Sequence, residues 1–307
     1  MSTQHVTTTP VAAPGPGGPR PPVSAPRRRR PLRARLRRRP NLLAGVLATI
    51  WLILVAGPLY YMISSSLRSR SDYLSGNPLA PPSSPTLENY WTVLEGGFTR
   101  YLFNNVVVTV ATVLIVVGLA VPAAYAIARS TSRLVQRGFT LLLAGLAIPA
   151  QATIIPVYLL ITRMNLYDSL TAIILPTAAF ALPVGTLVLT NSLRDVPREL
   201  YEAQAIDGAG AFRVLRHLVL PLARPAIVTV VIFTSLTAWN GFLFPLVLTQ
   251  SESTRVLTLG LWNFQGQFGT NVPALLAAVT LSVLPIFVVY LIGRRFLLSG
   301  LTAGFGK

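Results

Sequence analysis

Residues 101–128 read YLFNNVVVTVATVLIVVGLAVPAAYAIA, an unbroken run with no Asp, Glu, Lys, Arg or His. A helix rises about 1.5 Å per residue, so about 20 apolar residues cross the roughly 30 Å hydrocarbon core of a bilayer. Working outward, the stretches 42–63, 138–162, 169–193, 225–249 and 272–293 pass the same test, and all are free of charged residues. Composition points the same way. Of 307 residues, 52% are hydrophobic and 11% charged, with mean hydropathy +0.59, too apolar for an ordinary soluble domain. The expected fold is an all-α integral membrane protein with six transmembrane helices, carried by a transmembrane domain over 41–307.

The net charge of +17 is unevenly placed. Residues 1–40 hold ten Arg, nine Pro and no acidic residue. A Pro-, Gly- and Thr-rich stretch with so few large apolar side chains cannot offset its chain entropy, so 1–40 is expected to be a disordered cytoplasmic tail. Its Arg cluster abuts the first span, where it fixes orientation and is drawn to anionic lipid headgroups. With the tail inside, the loops at Arg129–Arg137 and Arg194–Arg224 and the C-terminal Arg294, Arg295 and Lys307 share its face. That face carries 21 basic residues against five opposite, Arg68, Arg70, Arg100, Arg163 and Arg255. The asymmetry predicts both termini in the cytoplasm.

Several chemistries drop out. There is no Cys and there are only two His, so no thiolate site, disulfide or histidine metal cluster is expected. Uncharged spans lack the carboxylate or His on which proton-coupled carriers generally depend. The ending Gly300–Lys307 has the wrong glycine spacing for a phosphate loop and no Ser or Thr after the Lys. No cofactor is expected on this chain. If it moves solute uphill, a partner supplies the energy.

Between spans four and five lies LRDVPRELYEAQAIDGAGAFRVLRHLVLPLARP, residues 193–225. Pro197 suits a first helical turn, Glu199 sits at the positive end of the helix dipole, and Gly208 can end the helix in the left-handed conformation. The helix is too short to span and too charged to enter lipid. The loop resembles the membrane subunits of binding-protein-dependent ABC importers, whose signature is Glu-Ala-Ala, a Gly four residues on, and an apolar stretch ending in Leu-Pro. Glu202-Ala203 and Gly208 match, as do Leu220-Pro221; Gln204 stands where the signature has Ala. The similarity narrows to the carbohydrate-uptake, maltose-type branch through Ala124-Tyr125-Ala126 with Arg129, Ile148-Pro149, Pro156-Val157-Tyr158, Trp239-Asn240, Pro245-Leu246, Leu257–Thr270 and Arg295–Gly304.

That resemblance implies a half-channel paired with a second permease subunit, a cytoplasmic ATPase dimer holding ATP and Mg, and an extracytoplasmic solute-binding protein, in a bacterial cell membrane. It assigns ATPase coupling, through a short cytoplasmic coupling helix, to Glu202, Ala203, Gln204, Asp207 and Gly208. The outer loop 250–271 is expected to meet the binding protein, with Asn263, Gln265 and Gln267 at that interface or on a sugar. Asn240, deep in span five, either hydrogen-bonds another helix or faces the solute pathway, and Gln151, Asn104 and Asn105 present the same choice. The alternative is a secondary carrier or channel independent of an ATPase.

Overall fold

The computed structural model describes residues 42–266 and 269–303, with side chains for 42–262 and 270–292. The tail 1–40 and Gln267 lie outside the described residues. The chain divides into two units, 1–50 and 51–307; α1 (Leu42–Ser66) crosses that division, and the packing below concerns the second unit. Then follow α2 (Arg70–Ser75), α3 (Glu88–Val93), α4 (Thr99–Arg129), α5 (Arg133–Ala144), α6 (Ile154–Arg163) and α7 (Leu170–Arg194). They are succeeded by α8 (Arg198–Ile206), α9 (Ala211–Val214), α10 (Leu220–Leu222), α11 (Arg224–Trp239), α12 (Leu243–Leu248), α13 (Leu257–Gly260) and α14 (Val272–Ala303). One antiparallel hairpin, Gln265–Gly266 with Gly269–Thr270, is the strand content among the described residues.

Among the described residues four helical stretches are long and apolar enough to cross a membrane: Leu42–Ser66, Glu88–Arg129, Leu170–Arg194 and Val272–Ile292. Two bent pairs raise the count to as many as six: Arg133–Ala147 with Ala150–Arg163, at 97°, and Ala211–Leu222 with Arg224–Trp239, at 76°. The stretches expected to span at 138–162 and 225–249 are interrupted, between α5 and α6 and between α11 and α12. Pro149 lacks an N–H and forces the preceding Ile148 to extended backbone, φ −88 and ψ 114, which breaks the first pair. The other pair bends at Ala223, just ahead of Pro225 in the first turn of α11, and farther on α11 stops at Trp239 and α12 restarts at Leu243, where Pro245 has no N–H to give the Gly241 carbonyl. The freed Gly241 carbonyl accepts instead from Thr258 Oγ1 at 2.8 Å. Pro58, Pro122, Pro176, Pro183 and Pro285 sit inside continuous helices.

Helix α4 is extended outward, beyond the expected start at 101, through a kink at Gly97, φ 87, to α3. The interior lies between α4, α7 and α11. Ala120, Ala124, Ala178 and Ala181 allow close approach, and a Cβ on Gly185 would stand 3.2 Å from methyls of Val116 and Val230. Away from this core the large side chains point outward: Trp51, Leu52, Ile53 and Leu54 of α1 are 63–68% exposed. In water such a surface would aggregate; in a bilayer or against a partner helix it is satisfied.

Polar crosslinks appear where helices meet loops. Asn104 donates to the carbonyls of Ser253 and Arg255, both at 2.8 Å, and Asn105 to that of Trp239 at 3.3 Å. Trp239 Nε1 donates to Ser282 O at 3.2 Å, tying α11 to α14. In the loop after α1 Arg68 is 1% exposed. It donates to the carbonyls of Asn77 and Ala80 and pairs with Asp72 at 3.9 Å.

Tyr101 explains a glycine. Its hydroxyl donates to Glu252 at 2.8 Å, and its ring lies where a side chain on Gly260 would go, 2.4 Å from the Cβ position. Gly260→Ala is expected to lower stability by about 1–3 kcal/mol through overpacking. A lowered thermal unfolding midpoint in detergent checks this; an unchanged one would mean the Tyr101 ring moves aside freely.

Candidate functional site

Helix α8 is built as the loop sequence suggests, with one adjustment. Pro197 occupies the N-cap rather than the first turn, with φ −54 and ψ 140. At the other end Asp207 is the C-cap and Gly208 has φ +70. The Ala209 N–H donates to Gln204 O at 2.9 Å and the Gly208 N–H to Ala205 O at 3.1 Å. This pair of bonds is the Schellman arrangement, which closes a helix through a left-handed residue. A Cβ on Gly208 would meet nothing within 4 Å, so the glycine is required by backbone conformation and not by space.

The expected coupling residues share one exposed surface. Glu202, Ala203, Asp207 and Gly208 are exposed, and Gln204 is half-buried. Beside them stand two apolar side chains that the sequence reading passed over, Ile206 and Phe212, 87% and 74% exposed. Both flank the turn at Gly208, and apolar groups left in water at a helix end are what a partner surface covers.

Sequence reasoning also missed Tyr201, which anchors the helix. Its side chain is buried and stacks on Tyr125 of α4, with centroids 6.1 Å apart and planes 18° from parallel. The Arg129 guanidinium lies 4.2 Å above the Tyr201 ring, a cation–π contact at the last turn of α4. Burial pushes the Tyr201 phenol up against the opposing influence of Arg129. Ala124-Tyr125-Ala126 with Arg129 was legible as a family likeness, but its packing partner was not. Val214 and Val219 join the same core, so α8 is fixed to the spans on both sides.

On the opposite side Asp168, with φ +58, gathers the loop after α12. Its Oδ1 accepts from the N–H groups of Gln250 and Ser251, at 2.8 and 2.9 Å, and from Thr254 Oγ1 at 2.8 Å; Ser251 Oγ donates to Oδ2. These donors hold the carboxyl well below the usual carboxylate range. A carboxylate whose folded pKa is depressed stabilises fully above its unfolded value, about 4, and loses that contribution as pH falls toward the folded value. Asp168→Asn is expected to lower the unfolding midpoint at pH 7 and to flatten its fall on acidification below about pH 4. Parallel melting curves of the two proteins at every pH would contradict the assignment.

This loop borders a cleft of about 270 Å³ lined by Thr249, Gln250, Arg255 and Trp262, among others. Asn263 and Gln265 follow Trp262, but their side chains lie outside the described residues. Asn240 crosses to no other helix: its amide donates to Leu236 O of its own helix at 2.9 Å and is exposed. Gln151 is exposed at the bend after Pro149. Asn105 is the interhelix amide, reaching Trp239 of α11, while Asn104 holds the loop after α12.

The chain matches the family model described as binding-protein-dependent transport system inner membrane component over residues 116–301, which includes α8 and its anchors. It belongs to that family. A putative ABC transporter permease protein of Caldicellulosiruptor sp. is 39% identical, over 84% of this chain and 94% of that one. A diacetylchitobiose uptake system permease protein of Streptomyces coelicolor is 31% identical, over 85% and 95%. A solved bacterial ABC transporter involved in import of the acidic polysaccharide alginate shares the fold, with TM-score 0.74, 21% identity and coverage of 83% and 95%. This inner membrane component is thus a transport subunit and not an enzyme, with the ATPase on a separate chain.

Proposed function

We propose that this permease forms half of the import pathway for a sugar or related solute, paired with a second permease, and that α8 is the element through which a cytoplasmic ATPase dimer drives it. ATP and Mg belong to that partner. The observation that carries the reading is the mounting of α8: a short helix closed at Gly208, exposed along Glu202, Ala203 and Asp207, and pinned to α4 through Tyr201 and Arg129. A rigid knob attached to a spanning helix transmits displacement; a loose loop would absorb it. Ile206 and Phe212 supply apolar anchors, and Glu202 an ionic one. The uptake roles of the diacetylchitobiose and alginate relatives support a carbohydrate solute. An extracytoplasmic binding protein would meet the loop that Asp168 organises, with Asn263, Gln265 and Gln267 near that contact and Asn240 and Gln151 open to the pathway.

In this reading six spans place both termini and α8 in the cytoplasm of a bacterial cell. The positive-inside asymmetry supports it, as do the two bent pairs if each crosses once. Because the chain has no Cys, single substitutions test it without background. An impermeant thiol reagent on intact cells is expected to label Ser75→Cys and Ser253→Cys but not Arg133→Cys or Glu202→Cys, all four sites being exposed. Labelling at position 133 without labelling at 75 would invert the topology.

A further inference from the structure

A cavity of about 350 Å³ opens where α4 and α7 end, bounded by Arg129, Arg194, Arg198, Ser130 and Gln136. Three guanidinium side chains meet there, and no carboxylate lines it. Among the described residues the ion pair within 4 Å is Arg68–Asp72, so none of the three makes an ion pair with the nearby Asp195 or Glu199. Their other contacts are neutral: Arg129 lies over Tyr201, and Arg194 donates to Gln136 Oε1 at 3.1 Å. Gln136 meanwhile spends its amide on the carbonyls of Ile127 and Ser130, at 3.1 and 3.0 Å, removing acceptors that would repel an anion. The start of α8 adds backbone N–H groups with no side-chain cap, Pro197 having none to offer.

We propose that this cavity is a phosphate site, filled by the headgroup of an anionic lipid. Arg129 and Arg194 stand in the last turns of α4 and α7, two stretches of spanning length, so the cavity lies at the depth where headgroups lie. Forked guanidinium donors suit a phosphate's paired oxygens. The inference needs only that α4 and α7 span; it does not depend on the ATPase or on the solute.

Native mass spectrometry of the full chain in detergent, offered equal amounts of phosphatidylglycerol and phosphatidylcholine, tests it. Selective retention of phosphatidylglycerol is expected. Arg194→Gln with Arg198→Gln should reduce that retention about tenfold or more, as removal of two basic groups near a headgroup implies. The charge-preserving variant Arg194→Lys with Arg198→Lys lacks the fork but keeps the charge and should fall between the parent and the Gln pair, which guards against a folding defect. Arg133→Gln with Arg137→Gln removes the same charge from exposed positions outside the cavity and should change little. Displacement of the lipid by millimolar inorganic phosphate would keep the site and assign it to free phosphate instead. Equal retention of both lipids, or equal loss in the two Gln pairs, would overturn the proposal.

Discussion

Gly208→Val is expected to leave the chain inserted and assembled while separating ATP hydrolysis from transport. At φ +70 any L side chain costs about 1–2 kcal/mol, and a β-branched one more. Since a Cβ there meets nothing within 4 Å, the penalty falls wholly on the backbone turn. It is relieved by breaking the bonds from Ala209 to Gln204 and from Gly208 to Ala205, which tilts the end of α8. A penalty of this size shifts the capped geometry about tenfold, and solute moved per ATP hydrolysed in proteoliposomes should fall by a similar factor. Gly208→Asn is the control, because Asn tolerates the left-handed region; it should retain transport within about twofold of the parent. A Gly208→Val complex that transports normally would mean the turn at 208 has no part in coupling.

The second large effect is at Tyr201. Tyr201→Ala removes a buried ring from between Tyr125, Arg129 and the core. The loss is expected to be about 3–5 kcal/mol, the range for deleting a buried aromatic side chain. Coupling should fail with it, since α8 loses its attachment to α4. Tyr201→Phe should behave differently. The Tyr201 hydroxyl is buried with no hydrogen-bond partner among the described residues, so its removal is neutral or stabilising by up to about 1 kcal/mol. Thermal unfolding and transport of the two variants, measured together, separate ring packing from the hydroxyl. A Tyr201→Phe protein as impaired as Tyr201→Ala would show that the hydroxyl has a partner in the assembled transporter.

Much of this was legible in the sequence because membrane and turn physics act locally. An uncharged run of spanning length declares itself, and Gly208 after a charged helical segment announces a left-handed stop; the observed φ bears that out. Pairwise packing does not declare itself. Nothing in residues 198–206 alone says that Tyr201 turns inward while Ile206 turns out, since both are apolar positions on a polar helix. Asp168 was missed for a like reason: its donors come from 250–254, more than 80 positions away. The broken spans were legible only as candidates. Pro149 and Pro245 lie in apolar runs just as Pro122 and Pro183 do, but the latter pair stays inside continuous helices. Composition does not distinguish a tolerated proline from one that ends a helix.

Ala203 offers the most direct test that α8 meets the ATPase. It is exposed on the face shared with Glu202 and Asp207, and a single Cys there is the chain's sole thiol. Maleimide labelling of Ala203→Cys should be rapid in the permease pair alone and strongly suppressed when the ATPase subunits are bound, whereas Ser75→Cys should label equally in both. Labelling of Ala203→Cys at the same rate with and without the ATPase would contradict the central claim.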